Sequence, residues 1–229
     1  MPRTAERTPL SRDRVLQTAL ALADRDGLDR LTMRALADEL GVEAMSLYYH
    51  LPNKPAILDG LIEQVFAEIE HEIGGFAPPA ADAAGWASRL RARILGARQV
   101  LLRHPWAPAL MNVRGTPGLT AVRYADGVVG IMRSGGLSHD LIHHGLHAIG
   151  SRMYGYVQEL NDDNAAEPPA DPDQFAALAP HLAAMLADVV HDDPDSTLGW
   201  CDDQTEFEFG LDLLLEGLER RRLAEAAAE

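Results

Sequence analysis

The chain has a single cysteine, Cys201, so no disulfide can form within it, and a reducing, cytoplasmic setting is the expectation. With no Lys or Arg near it in sequence, Cys201 also lacks the electropositive surroundings of a reactive thiol. No apolar run approaches the ~18 residues that a membrane-spanning helix needs, so no membrane partner is expected. The opening residues, Met1 to Arg14, are polar and basic without an apolar centre, unlike a secretory signal. No segment alternates apolar and polar residues as a half-buried strand would, and no internal repeat is present. Enzyme signatures are missing too: there is no nucleophile elbow, no phosphate-binding loop and no HExxH pair. Nothing calls for a cofactor. Cations are scarce, with 20 Lys and Arg against 35 Asp and Glu, a formal charge of −15 that at first speaks against a polyanionic partner.

The distribution of that charge changes the reading. Residues 1–60 hold eight Lys and Arg against nine Asp and Glu, while the remainder hold twelve against twenty-six. Arg3, Arg7, Arg12 and Arg14 cluster at the start. One nearly neutral end with a basic tail is thus able to meet DNA while the acidic remainder faces away.

Helical periodicity fills most of the chain, so the expected fold is all-α. Ser11 precedes an apolar stripe of Leu16, Ala19, Leu20 and Ala23, and Gly27 closes it. Thr32 is a suitable N-cap for a short helix carrying Met33, Leu36, Ala37 and Leu40, which Gly41 stops. A brief third segment runs from Glu43 to Tyr49, and Leu58, Leu61, Ile62, Val65 and Ile69 mark a longer fourth helix. The expected division is a helix-turn-helix domain over 1–73 and a larger helical domain over 74–229, joined at GGFAPPAADAAG (74–85). Further helical stretches are expected at about 86–104, 118–134, 138–160, 173–190 and 203–224, with acidic loops at 161–173 and 191–196.

Helix, turn and short helix within residues 32–50 form a DNA probe. Val42 and Leu47 are its apolar anchors against Leu36 and Leu40. Ala44, Met45, Ser46, Tyr48 and Tyr49 are then left to look outward, small enough or suitably apolar to approach base edges and thymine methyls. Tyrosine hydroxyls and His50 can donate to phosphates, and Lys54 begins the next helix, where an anion is favoured.

The run LTMRALADELGVEAMSLYYHLPNKPAILD (31–59) resembles the DNA-binding signature of the tetracycline-repressor (TetR) family. FGLDLLLEGLE (209–219) is similar to the last helix of the tetracycline repressors themselves, with a looser likeness at RGTPG (114–118) and HAIGSRMYGYVQEL (147–160). The resemblance implies a homodimer that binds a palindromic operator and is released by a small organic effector. It implies a base contact for Arg34 and a phosphate contact for Thr32. It would turn Ala44, Met45, Ser46 and Tyr48 to the groove, with Tyr49, His50 and Lys54 on the backbone. Where this chain has Ala44 and Met45 the tetracycline repressors carry Gln and Pro, so the operator should differ there. Ser151 and Asn112 stand where those repressors place metal-binding histidines.

Trp86, Trp106, Met111, Asn112, Met132, His147, Ser151 and Tyr154 are the candidate effector pocket. Ile142, Leu146, Ile149 and Met153 on one helix, with Leu211, Leu214, Leu215 and Leu218 on the last, are the candidate dimer faces, and Gly210 and Gly217 would let helices approach. Two rival readings stay open. His139, His143, His144 and His147 could serve a metal-dependent helical enzyme, since His143 and His147 have the i, i+4 spacing of paired zinc ligands. No carboxylate or cysteine stands at an obvious third position, which favours pocket lining or a dimer contact. The other rival is a DNA-binding dimer without an effector.

Overall fold

A computed structural model describes residues 9–76, 85–113, 118–159, 172–188 and 203–228. Eleven α-helices and no strand are present among them. Cys201 and the acidic stretch 191–196 lie outside the described residues, as do 161–171 of the first acidic loop.

The first two helices follow the caps written in the sequence. α1 (Arg12–Asp26) starts at Ser11, whose hydroxyl accepts from the Arg14 amide at 3.2 Å, and ends at Gly27. α2 (Met33–Leu40) starts at Thr32, whose Oγ1 accepts from the Ala35 amide at 3.0 Å. It ends at Gly41, which takes the left-handed φ of 66° that a side chain would oppose. α3 (Ala44–Leu47) is a single turn, and α4 (Lys54–Glu72) is capped by Asn53. Leu16, Leu36, Leu47, Leu51 and Leu61 meet in one buried cluster. Gly60 lets α4 close on α1, because a Cβ there would come within 2.5 Å of Leu16 Cδ2.

By its contacts the chain forms two compact units, 1–137 and 138–229. The boundary expected at Ile73 falls inside the first. The reason is that α4 does more than finish the small domain: its length packs along α5 (Trp86–Arg103), α6 (Ala107–Val113) and α7 (Leu119–Ser134). The short α6 was not anticipated, since Pro105 and Pro108 mask its pattern. Pro108 sits in the first turn, where its missing N–H costs nothing.

The second unit is built on α8 (His139–Glu159) lying along α11 (Asp203–Ala226). The single helix expected over 173–190 is two, α9 (Pro172–Leu178) and α10 (Pro180–Asp188). Pro180 opens the second, as proline does at a helix start. Ile142, Ile149, Met153, Leu211, Leu215 and Leu218 are all buried within the chain. They form the seam between α8 and α11, and only Leu146 and Leu214 remain half-buried. Within one chain, α8 and α11 thus bury a stripe against each other. Gly210 belongs to the same seam: its bare Cα leaves room for Arg152, whose Nη2 donates to the Glu206 carbonyl at 2.6 Å.

Candidate nucleic-acid interface

The helix-turn-helix displays most of the side chains the sequence assigned to DNA. On α3 and the turn after it, Leu47 is fully buried while Met45 is 71% and Tyr49 90% exposed. An apolar methionine and an aromatic ring left in water on a short, buried-anchor helix form a surface that a partner would cover. Tyr48 is exposed; Ala44, Ser46 and His50 are half-buried. Val42 is half-buried against the cluster beneath, an anchor as expected. Thr32 and Arg34 are exposed at the start of α2. The Thr32 hydroxyl accepts its capping bond and still has its own O–H to donate.

Lys54 begins α4, as expected, and makes a further contact there. Its Nζ donates to the Leu28 carbonyl at 3.1 Å, tying the start of α4 to the turn before α2. Two of the three ammonium donors remain for a phosphate. Arg25 could have joined the basic surface, but its guanidinium bridges Asp26 at 3.0 Å and Glu39 at 3.1 Å. Both acceptors raise its pKa, with Glu39 the larger cause.

The eight effector candidates divide between the two units. In the first, Trp86 and Met132 are core residues, the Trp86 ring pressed against Gly135. Trp106 turns to α1, its Nε1 donating to Asp24 Oδ1 at 2.7 Å, while Met111 is half-buried and Asn112 exposed. In the second, His147 and Ser151 are exposed on α8, and Tyr154 is half-buried with its phenol pushed up by desolvation. His143 and His147 stack edge to face with centroids 4.7 Å apart. Among the described residues no group of three or more His, Cys, Asp or Glu is placed to hold a metal ion.

A groove of about 670 Å³ lies on the second unit. It runs between α8 and α11 beside the buried seam, over Leu141, Gly145, Ala148, Leu213, Leu214 and Gly217, and holds none of the eight effector candidates. Leu214, Leu218 and Gly217 of its lining are among the residues expected at the dimer faces. A Cβ on Gly217 would meet no atom within 4 Å, so this glycine opens toward space. No described helix is long and apolar enough to cross a membrane.

The description "Bacterial regulatory proteins, tetR family" matches residues 15–61, and "Tetracyclin repressor-like, C-terminal domain" matches residues 78–222. An HTH-type transcriptional regulator from Saccharopolyspora erythraea is 30% identical over 214 residues, covering 91% of this chain and 84% of that protein. The tetracycline repressor protein class A from transposon 1721 of Escherichia coli is 32% identical over 219 residues, covering 94% of each. Among solved structures, Streptomyces coelicolor ActR in complex with actinorhodin shares 26% identity with a TM-score of 0.71. That match covers 94% of this chain and 99% of the other.

Proposed function

Because the chain belongs to the tetR family of regulators, we propose that it is a homodimeric repressor whose residues 1–73 bind a palindromic operator and whose residues 74–229 receive a small organic effector and dimerise. It works on DNA in the cytoplasm and catalyses no reaction of its own. The observation that carries the reading is the one-turn α3, buried through Leu47 and exposing Met45 and Tyr49. That arrangement is a supported helix with a free face, the shape that enters a major groove.

In this reading Met45 and Ala44 approach base edges, Arg34 reads a guanine, and Thr32, Tyr49, His50 and Lys54 fix the register on phosphates. The second copy seats on the groove between α8 and α11, where Gly145, Ala148 and Gly217 allow close helix approach. An effector that prefers a dimer with its recognition helices away from the ~34–36 Å repeat of DNA weakens operator binding by linkage. In vitro selection of operator sequences by the full-length protein tests this. A two-fold symmetric site with steep salt dependence is expected. A monomer at micromolar concentration, or an asymmetric selected site, would refute it. On the selected operator, Arg34→Ala should lose roughly 1–3 kcal/mol and relax preference at one base pair per half-site. A uniform loss over all sequences would move Arg34 to the backbone.

The effector is a larger organic molecule without a metal chelate. ActR is solved with actinorhodin, an organic ligand that sets the class for this proposal. Ser151 and Asn112, both exposed and neutral, are weak ligands where the tetracycline repressors use histidine. Tetracycline with magnesium should therefore leave the operator complex intact, as read by fluorescence anisotropy of labelled DNA. Release at low micromolar drug would show that other residues rebuild the metal site.

A further inference from the structure

His104 closes α5 and precedes α6, and its side chain is only 6% exposed. Its two ring nitrogens meet two carboxylates from two other helices. Nδ1 lies 2.8 Å from Asp24 Oδ1 on α1, and Nε2 lies 3.1 Å from Glu68 Oε2 on α4. A neutral imidazole has one N–H and one lone pair, so one of these contacts would set a lone pair against a carboxylate oxygen. With both carboxylates ionised, the two contacts are satisfied together only by the imidazolium donating from each nitrogen. Trp106 Nε1 donates to the same Asp24 oxygen, so Asp24 takes two donors, as an ionised carboxylate can. The other charged groups at the site are Arg103, 3.5 Å from Glu68 and 3.8 Å from Glu72, and Glu72 itself. Three acids face one other cation, Arg103, so a protonated ring brings the site closer to neutrality than a neutral one.

We propose that His104 is a charged coupling joint, an imidazolium fastened between Asp24 and Glu68 that holds α1 on α4 in the orientation the operator requires. The functional half of this rests on the repressor reading; the charge state does not. α1 supports the helix-turn-helix through Leu16 and its neighbours, α4 runs from that cluster along α5 and α7, and the α5–α6 corner belongs to the part of the chain assigned to the effector. A move of α6 pulls on Trp106 and His104 together, and both end on Asp24. Charge-assisted bonds at a nearly buried ring make that connection stiff and directional.

The test has two arms on the full-length dimer. In 15N-histidine-labelled protein, with the His104 signals assigned through their loss in His104→Gln, both ring nitrogens should carry protons at neutral pH. A bare nitrogen overturns the proposal. The second arm is operator affinity of Asp24→Asn, Glu68→Gln and the double variant, at a temperature where circular dichroism shows all of them folded. Both carboxylates are partly exposed, so the amide swaps leave the fold standing. Each single change should weaken binding about tenfold and the double change no further, since either one unfastens the same joint. Unchanged affinities, or losses that multiply, would contradict it. A wild-type protein that selects no operator sinks the repressor reading alone, and the spectrum then decides the charge state by itself.

Discussion

Ala148→Arg is expected to turn the dimer into a monomer and to weaken binding to a palindromic operator by about 10²- to 10⁴-fold. Ala148 is exposed on α8 and lines the groove against α11, so in the single chain an arginine there meets water. Against a second copy the same side chain is a long, charged group driven between closely approaching helices at Gly145, Ala148 and Gly217, and two-fold symmetry brings it in twice. The loss in DNA binding follows from geometry. A dimer binds its second half-site as an intramolecular event, at the high effective concentration set by the first, and a monomer loses that advantage without losing a base contact. Light scattering should give the mass of one chain while circular dichroism stays unchanged. Affinity for an isolated half-site should stay near that of wild type. A variant that remains dimeric would place the interface on another surface, and Leu213→Glu, changed on the opposite wall of the groove, would confirm or deny that result independently.

The contrast between that groove and the leucine stripes shows what the sequence could carry. Capping residues acted locally, so Ser11, Gly27, Thr32 and Gly41 placed four helix boundaries without help from the rest of the chain. The buried face of the helix-turn-helix was equally legible, because the 3.6-residue period of Leu36, Ala37 and Leu40 has one interpretation on a short helix. Tertiary choices were less so. Periodicity says that Ile149 and Leu211 are buried but not by what; a helix from the same chain and a helix from a second chain leave the same pattern. The lone glycine or alanine that marks a close approach reads as a surface residue until its neighbour is known. The contacts of Lys54 and Trp106 were hidden for a related reason, since the Leu28 carbonyl and Asp24 that hold them are 26 and 82 residues distant. No local signal announces such partners. The acid–imidazole–acid contact at His104 joins residues 80 and 36 apart and was invisible for the same cause.

Gly127→Ala should destabilise the protein by about 3 kcal/mol or more, although it adds one methyl group to a helix that would otherwise welcome it. Alanine is ordinarily better than glycine in a helix interior by up to about 1 kcal/mol. On α7, however, the new Cβ would collide with the Phe76 carbonyl oxygen and with Arg93 Nη1. Backbone on one side and a buried cation on the other leave it no soft neighbour. Arg93 is 6% exposed, and desolvation lowers its pKa. Its guanidinium is held by Nη1 donating to the Phe76 carbonyl at 3.1 Å and Nη2 to the Phe76 and Gly75 carbonyls at 3.2 and 3.3 Å. These carbonyls follow the end of α4, so the cation also faces the negative pole of that helix. Pushing Arg93 aside strands a buried charge and frees the chain that fixes the far end of α4. For a chain of this length the loss corresponds to a fall in melting temperature of roughly 10 °C. Gly150→Ala on α8, where a Cβ meets no atom within 4 Å, supplies the control and should be neutral or slightly stabilising. In an Arg93→Met background the Gly127 alanine should cost less than in wild type, because one of its two obstacles can then give way. Equal melting temperatures for Gly127→Ala and Gly150→Ala would show that the α4–α5–α7 corner is looser than this packing requires.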